Sequence, residues 1–187
     1  MLRPLLPLLP ALFLTVSGCA STTTSMVIPS PQAPVCQGTA KAMIIWATHW
    51  RPDQKDIPAR EIAASDGIGQ FFEKSGCFSS ASVHRLQQYS TPSIQAAVAD
   101  AGARYEKVVL VVVRELGPIL RIGASLALVE GGTEVILDVT EYMPASPAPR
   151  TFAVQWRSGG PGVIKGVATL PEDIQAALES GLKPAAK

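Results

Sequence analysis

Histidine occurs only at His49 and His84, and neither a His-x-x-x-His spacing nor a metal-type pair of cysteines is present. A zinc centre needs three or four converging ligands, so the sequence offers no metal site. The Gly-x-Ser-x-Gly turn of serine hydrolases is also missing. Lys and Arg nowhere cluster, and 16 basic residues face 15 acidic ones. A balance of that kind gives no general attraction to nucleic acid or anionic lipid, which argues against a nucleic-acid partner. No apolar run reaches the roughly 20 residues that a membrane-spanning helix requires.

The amino terminus carries a single charge, Arg3, then a leucine-rich run from Leu5 to Val16 broken by Pro7 and Pro10, then small residues. This is the three-part layout of an export signal. It ends Val16-Ser17-Gly18-Cys19, which resembles the lipobox of bacterial lipoproteins. The resemblance implies cleavage before Cys19, a diacylglycerol on its thiol, and membrane attachment by two or three acyl chains, above the single-chain limit of reversible binding. Ala20 in place of an aspartate points, by the same resemblance, to the outer membrane. Residues 1–18 are then a signal peptide. Residues 19–38, rich in Ser, Thr and Pro and free of charge, read as the lipidated amino terminus and a flexible tether. Such a tether would hold the domain on the order of 20 to 50 Å from the bilayer. Residues 39–187 form a single periplasmic domain, with the folded part starting near Thr39.

Within that domain Ala42 to Trp46 and Phe78 to Leu86 read as strands, and Val108 to Val113 as a strand covered on both faces by helices. Asp56-Ile57-Pro58 opens a helix with Ile62, Phe71 and Phe72 as its apolar contacts, and Gly76 stops it. Thr91-Pro92 opens a second helix that Gly102 ends. Leu120 to Leu128 alternates as a half-exposed strand, and Glu130-Gly131-Gly132-Thr133 reads as a hairpin turn. Val135 to Val139 returns from it, and Phe152 to Trp156 adds a strand after the proline-rich loop from Met143 to Pro149. A last helix spans about Pro171 to Leu182. The predicted fold is α/β (α+β): one mixed sheet with helices packed on it, β-α-β-α-β, then antiparallel strands, then a C-terminal helix.

The layout AMIIWATHWRPD, FFEKSGCFSS, SIQAAVADAGARYEKVVLVVVRELGP and ALVEGGTEVILDVTEY, over about residues 40–182, resembles the α/β domain shared by the curli secretion lipoprotein, the penicillin-binding-protein activator lipoprotein and the amino-terminal domain of the Tol translocation protein. The resemblance implies a non-enzymatic envelope protein that binds other proteins or assembles into a ring. The chain is shorter than the curli member and lacks its pair of long membrane-crossing hairpins, so only the soluble core carries over.

His49, Arg51 and Asp53 fall just past a predicted strand end, where sites often lie. The first expectation is a non-catalytic interaction module in envelope assembly or secretion, with no cofactor. Its partners are unidentified envelope proteins, it is a possible homo-oligomer, and Trp50 and Arg51 are its contact residues. Trp46 and Trp156 alternate with core positions and are expected to be buried. The alternatives are a small hydrolase or metal-dependent enzyme centred on His49 and Asp53, and a ring subunit of a secretion channel. Ser158 to Gly166 is glycine-rich with Lys165, but Pro161 removes an amide that a phosphate cradle needs, so it reads as a loop. Arg114-Glu115 reads as a solvated cap on the buried strand. With Cys19 lipidated, Cys36 and Cys77 are the remaining thiols in an oxidising compartment. Each precedes one of two strands expected to run parallel as neighbours, which predicts a disulfide, two buried free thiols being the alternative.

Overall fold

Strand β2 (Gln37–Thr48) lies between β3 (Phe78–Arg85) and β4 (Lys107–Ile122) and runs parallel to both. In this computed structural model, which describes residues 22–27, 33–122, 129–143, 146 and 148–183, the chain leaves β2 through α1 (Ile57–Lys74) to reach β3. It then crosses back over β2 through α2 (Thr91–Ala101) to reach β4. Right-handed crossovers that run in opposite directions must lie on opposite faces of the sheet. Accordingly Ala63, Ile68 and Phe71 of α1 pack with Ala42, Ile44, Val109 and Val111. On the other face Ile94, Ala97 and Val98 of α2 pack with Met43, Ile45, Val108, Leu110 and Val112. Both faces of β2 and β4 are covered, which is why their sequences lack polar alternation.

Three antiparallel pairings complete the sheet. Strand β5 (Val129–Tyr142) pairs with β4, β6 (Arg150–Pro161) with β5, and β1 (Thr23–Val27) with β6, giving the order β1-β6-β5-β4-β2-β3. Helix α3 (Leu170–Leu182) lies beside α1, and its Ile174, Ala177 and Leu178 join the larger core with Val135, Leu137, Val154 and the buried Trp46 and Trp156. The predicted single mixed sheet, its β-α-β-α-β order and the C-terminal helix are all present.

Several local readings change. Val108 to Val113 and Leu120 are not in separate strands: β4 is continuous from Lys107 to Ile122, with a register shift between Val113 and Glu115. The predicted strand from Leu120 continues past it into residues 123–128, which lie outside the described residues. Glu130-Gly131-Gly132-Thr133 is not a turn but part of β5, and Ser158 to Pro161 belongs to β6, not to a loop. The two glycine pairs face each other, Gly131 against Gly160 and Gly132 against Gly159. A Cβ at Gly132 or Gly159 would collide with the backbone of the opposing strand. Here glycine serves close strand approach, a use that local sequence does not distinguish from a turn. Ile62 faces solvent on α1 and contributes nothing to the core.

Order also begins earlier than Thr39. Thr23–Val27, inside the stretch read as tether, is an edge strand on β6. The Val35 and Cys36 N–H groups both donate to the Leu182 carbonyl at 2.9 Å. Lys107 Nζ donates to the Val35 carbonyl at 2.9 Å and Arg150 Nη1 to that of Ala33 at 2.7 Å, while buried Glu141 pairs with both cations. Cys36 and Cys77 are joined by a disulfide with Cα atoms 4.5 Å apart, at the start of the neighbouring parallel strands β2 and β3.

Candidate functional site

In an open parallel arrangement the crevice lies beyond the carboxyl ends of the strands where the crossover direction reverses. Here that place is the end of β2 against the middle of β4. The His49 N–H still donates to the Val113 carbonyl at 2.9 Å, after which residues 50–56 turn away to start α1. This segment carries His49, Trp50, Arg51, Asp53 and Gln54. The shift in β4 after Val113 brings Glu115 against them.

Glu115 is buried, and three side chains close around it. Arg60 Nη1 lies 3.2 Å from Oε1, Gln54 Nε2 donates to the same oxygen at 3.1 Å, and Arg51 Nη2 stands 3.1 Å from Oε2. Arg60, itself buried, also donates from Nε to the Lys55 carbonyl at 2.7 Å and from Nη1 to the Leu116 carbonyl. Gly117 makes room for this guanidinium, because a Cβ there would occupy the position of Arg60 Nη1. A buried carboxylate is tolerated only when paired and hydrogen-bonded, and this one has two guanidinium partners and an amide donor. The expectation that Arg114-Glu115 is a solvated cap is therefore wrong for Glu115. The register shift separates the two residues, leaving Arg114 exposed with Asp138 at 3.1 Å and Glu115 inside.

Beside this cluster Glu61 on α1 binds Arg85 of β3, Nη2 to Oε2 2.6 Å, and accepts from Thr48 Oγ1 at 3.2 Å. The Arg85 hydrogen bond holds the Glu61 carboxyl below its ordinary range against the opposing effect of burial; the Arg85 charge, Thr48 and Trp50 add to the lowering. Arg85 also lies over the Trp46 ring, 5.0 Å from its centre.

His49 is exposed and its ring sits 5.0 Å from that of Tyr89, tilted by 36°. Asp53 is exposed and lies 3.8 Å from Arg51. Among the described residues no hydrogen bond or ion pair joins His49 to Asp53, and no group of three His, Cys, Asp or Glu side chains converges as a metal would require. His84 is exposed on the edge strand β3. Trp50 is only half exposed: it packs against the main core, and its indole N–H is buried without a full hydrogen bond. Exposed at this end are His49, Arg51 and Tyr89 together with Asp53, Lys55 and Asp56, with Trp50 half buried beside them. Glu115 stood out in the sequence only as half of a charged pair, and Arg60 and Gln54 had no signal, since they lie 55 and 61 positions from it.

A cavity of about 340 Å³ lies on the α2 face, lined by Val98, Gly102, Val108, Tyr142, Met143 and Pro149. Burial, with a smaller contribution from Tyr89, raises the Tyr142 hydroxyl above its ordinary range.

No protein-family model matches the chain, and no curated protein sequence matches it. Among solved structures it is similar to the PelC dodecamer from Paraburkholderia phytofirmans, at 12% identity and a TM-score of 0.47 over 88% of this chain and 100% of that one. It is also similar to a DUF330 protein from Xanthomonas campestris, at 16% identity and a TM-score of 0.36 over 82% of this chain and 84% of that one. A neuraminyllactose-binding hemagglutinin homologue from Helicobacter pylori aligns at 10% identity and a TM-score of 0.34, over 81% of this chain and 82% of that one.

Proposed function

We propose that this chain is a lipoprotein anchored through Cys19 to the outer membrane, facing the periplasm, whose α/β domain binds other envelope proteins and performs no chemistry of its own. The observation that carries this reading is how the switch-point crevice is filled. Glu115 holds Arg60 and Gln54 at Oε1 and Arg51 at Oε2, so three of the roughly four acceptor positions of its carboxylate are engaged by the protein's own side chains. At its rim the crevice exposes Tyr89 and Arg51 beside His49, and tyrosine and arginine are residue types enriched at protein contacts.

The test is affinity purification of the full lipidated chain from detergent-solubilised envelopes, wild type beside Arg51→Ala and Tyr89→Ala. A companion retained by the wild type and lost from both variants, each still folded, is the expected result. The enzyme alternative gains instead if His49→Ala and Asp53→Asn abolish an envelope phenotype while the companion is still captured.

Self-association is a second reading, favoured by the two sheet edges, β1 and β3, that have no further strand among the described residues. An open edge exposes backbone donors and acceptors that a further strand can satisfy. Sedimentation of the purified protein in detergent distinguishes a monomer from an assembly.

A further inference from the structure

We infer that the far end of the β4-β5-β6-β1 arm, marked by Thr23, Pro161 and Ile164, is the surface this protein presents to the phospholipid bilayer. The inference rests on the Cys19 anchor proposed above. It adds an orientation that the anchor alone does not give.

Three observations carry it. The first is the row in which Thr23 sits. Thr23 pairs with Gly159, Gly159 with Gly132, and Gly132 with Ile119. The row in which β2 ends runs from Thr48 to Val113 and Leu137. Five residues of β5 separate the two rows, so Thr23 stands about 17 Å beyond the end of β2 at 3.4 Å per residue.

The second is the length of chain before Thr23. Only Ala20, Ser21 and Thr22 separate it from Cys19, and four Cα steps span at most about 14 Å. With β1 paired to β6, the spacer between lipid and fold is these three residues and not the whole stretch to residue 38. A tether of that reach cannot carry the anchor to the opposite end of the sheet, where Cys36, Lys74 and Glu106 lie.

The third is what the arm end displays. Beyond Pro161 the Val163 carbonyl sits against Gly131, which places the next residue, Ile164, beside the row of Gly131 and Gly160. Ile164 is 94% exposed, and Val167 in the same connection is also exposed. Of the charged side chains described near this end, Arg157 is paired with Glu134 and Lys165 with Asp173, while Arg121 and Glu130 share the strand row of Pro161. Paired charges lower the cost of approaching a medium of low polarity, and an isoleucine standing free in water gains by leaving it. The opposite end instead exposes Glu73, Lys74 and Glu106.

The full-length lipidated protein is reconstituted in vesicles of phosphatidylethanolamine and phosphatidylglycerol containing a nitroxide-labelled phospholipid. An environment-sensitive fluorophore is attached at Ile164→Cys or, separately, at Lys74→Cys. Strong quenching at 164 with none at 74 is expected. Equal quenching at the two positions, quenching at 74 alone, or none at either in protein that floats with the vesicles overturns the orientation and leaves the anchor standing. Protein that neither floats nor incorporates labelled palmitate overturns both. An Ile164→Glu change made with the label moved to Pro161→Cys should abolish the quenching there. Unchanged quenching would count against Ile164 as the apolar contact.

Discussion

At the scale of single residues the molecule is governed by where its charges are buried. Truncating Glu115 leaves the Arg60 guanidinium inside with two carbonyls and no counter-ion, the arrangement that costs most. Glu115→Ala should lower stability by about 3 to 5 kcal/mol, read as a drop in the urea midpoint with the slope unchanged. Gly117→Ala should also destabilise, because the added methyl collides with Arg60. Combined with Arg60→Ala it should cost less than the sum of the single changes, since the collision is then gone. The Glu61 pair titrates in the acid range. Its folded carboxyl lies below the ordinary value of 4.5, so the stabilisation is present above that value and lost as pH falls through the lowered one. Arg85→Gln should bring Glu61 back towards 4.5 in an NMR titration and flatten the acid limb of the stability curve. A titration that does not move would show that Arg85 is not the cause.

At the scale of elements the disulfide and the edge strand decide how the amino-terminal segment is held. Cys36 and Cys77 close a separation of 41 residues, which in the chain-entropy model restricts the unfolded state by about 4 kcal/mol. A double change to alanine should therefore lower the melting temperature markedly while β2 and β3 remain paired, which thermal unfolding with and without reductant checks on the unaltered chain. The strand pattern was legible where burial imposed it. Val108 to Val113 reads as a doubly covered strand because both faces meet helices. Phe152, Val154 and Trp156 alternate because only one face of β6 enters the core. Glycine marked the ends of α1 and α2 correctly at Gly76 and Gly102, but the glycine pairs misled: Gly131, Gly132, Gly159 and Gly160 sit in paired strands.

At the scale of the whole molecule the proposed anchor rests on Cys19. Cys19→Ser should leave an uncleaved precursor that takes up no labelled palmitate, detected by its retained mass and by fractionation. A cleaved product that still sediments with the outer membrane would remove the lipoprotein reading. The balance of charge, the β-α-β-α-β core with antiparallel strands and a C-terminal helix after it, and the two cysteines that bridge were legible in the sequence alone. Each follows from local chemistry or from the period of apolar residues. Three matters were decided only by the tertiary structure: that Thr23–Val27 is an edge strand, that Glu115 is a buried anchor for Arg60 and Gln54, and that His49 lies against Tyr89 while Asp53 pairs with Arg51. The physical reason is common to all three. Whether a polar or uncharged segment pairs, and with what, depends on neighbours tens of residues away in the chain, and no local propensity encodes the strand or guanidinium that will be waiting there.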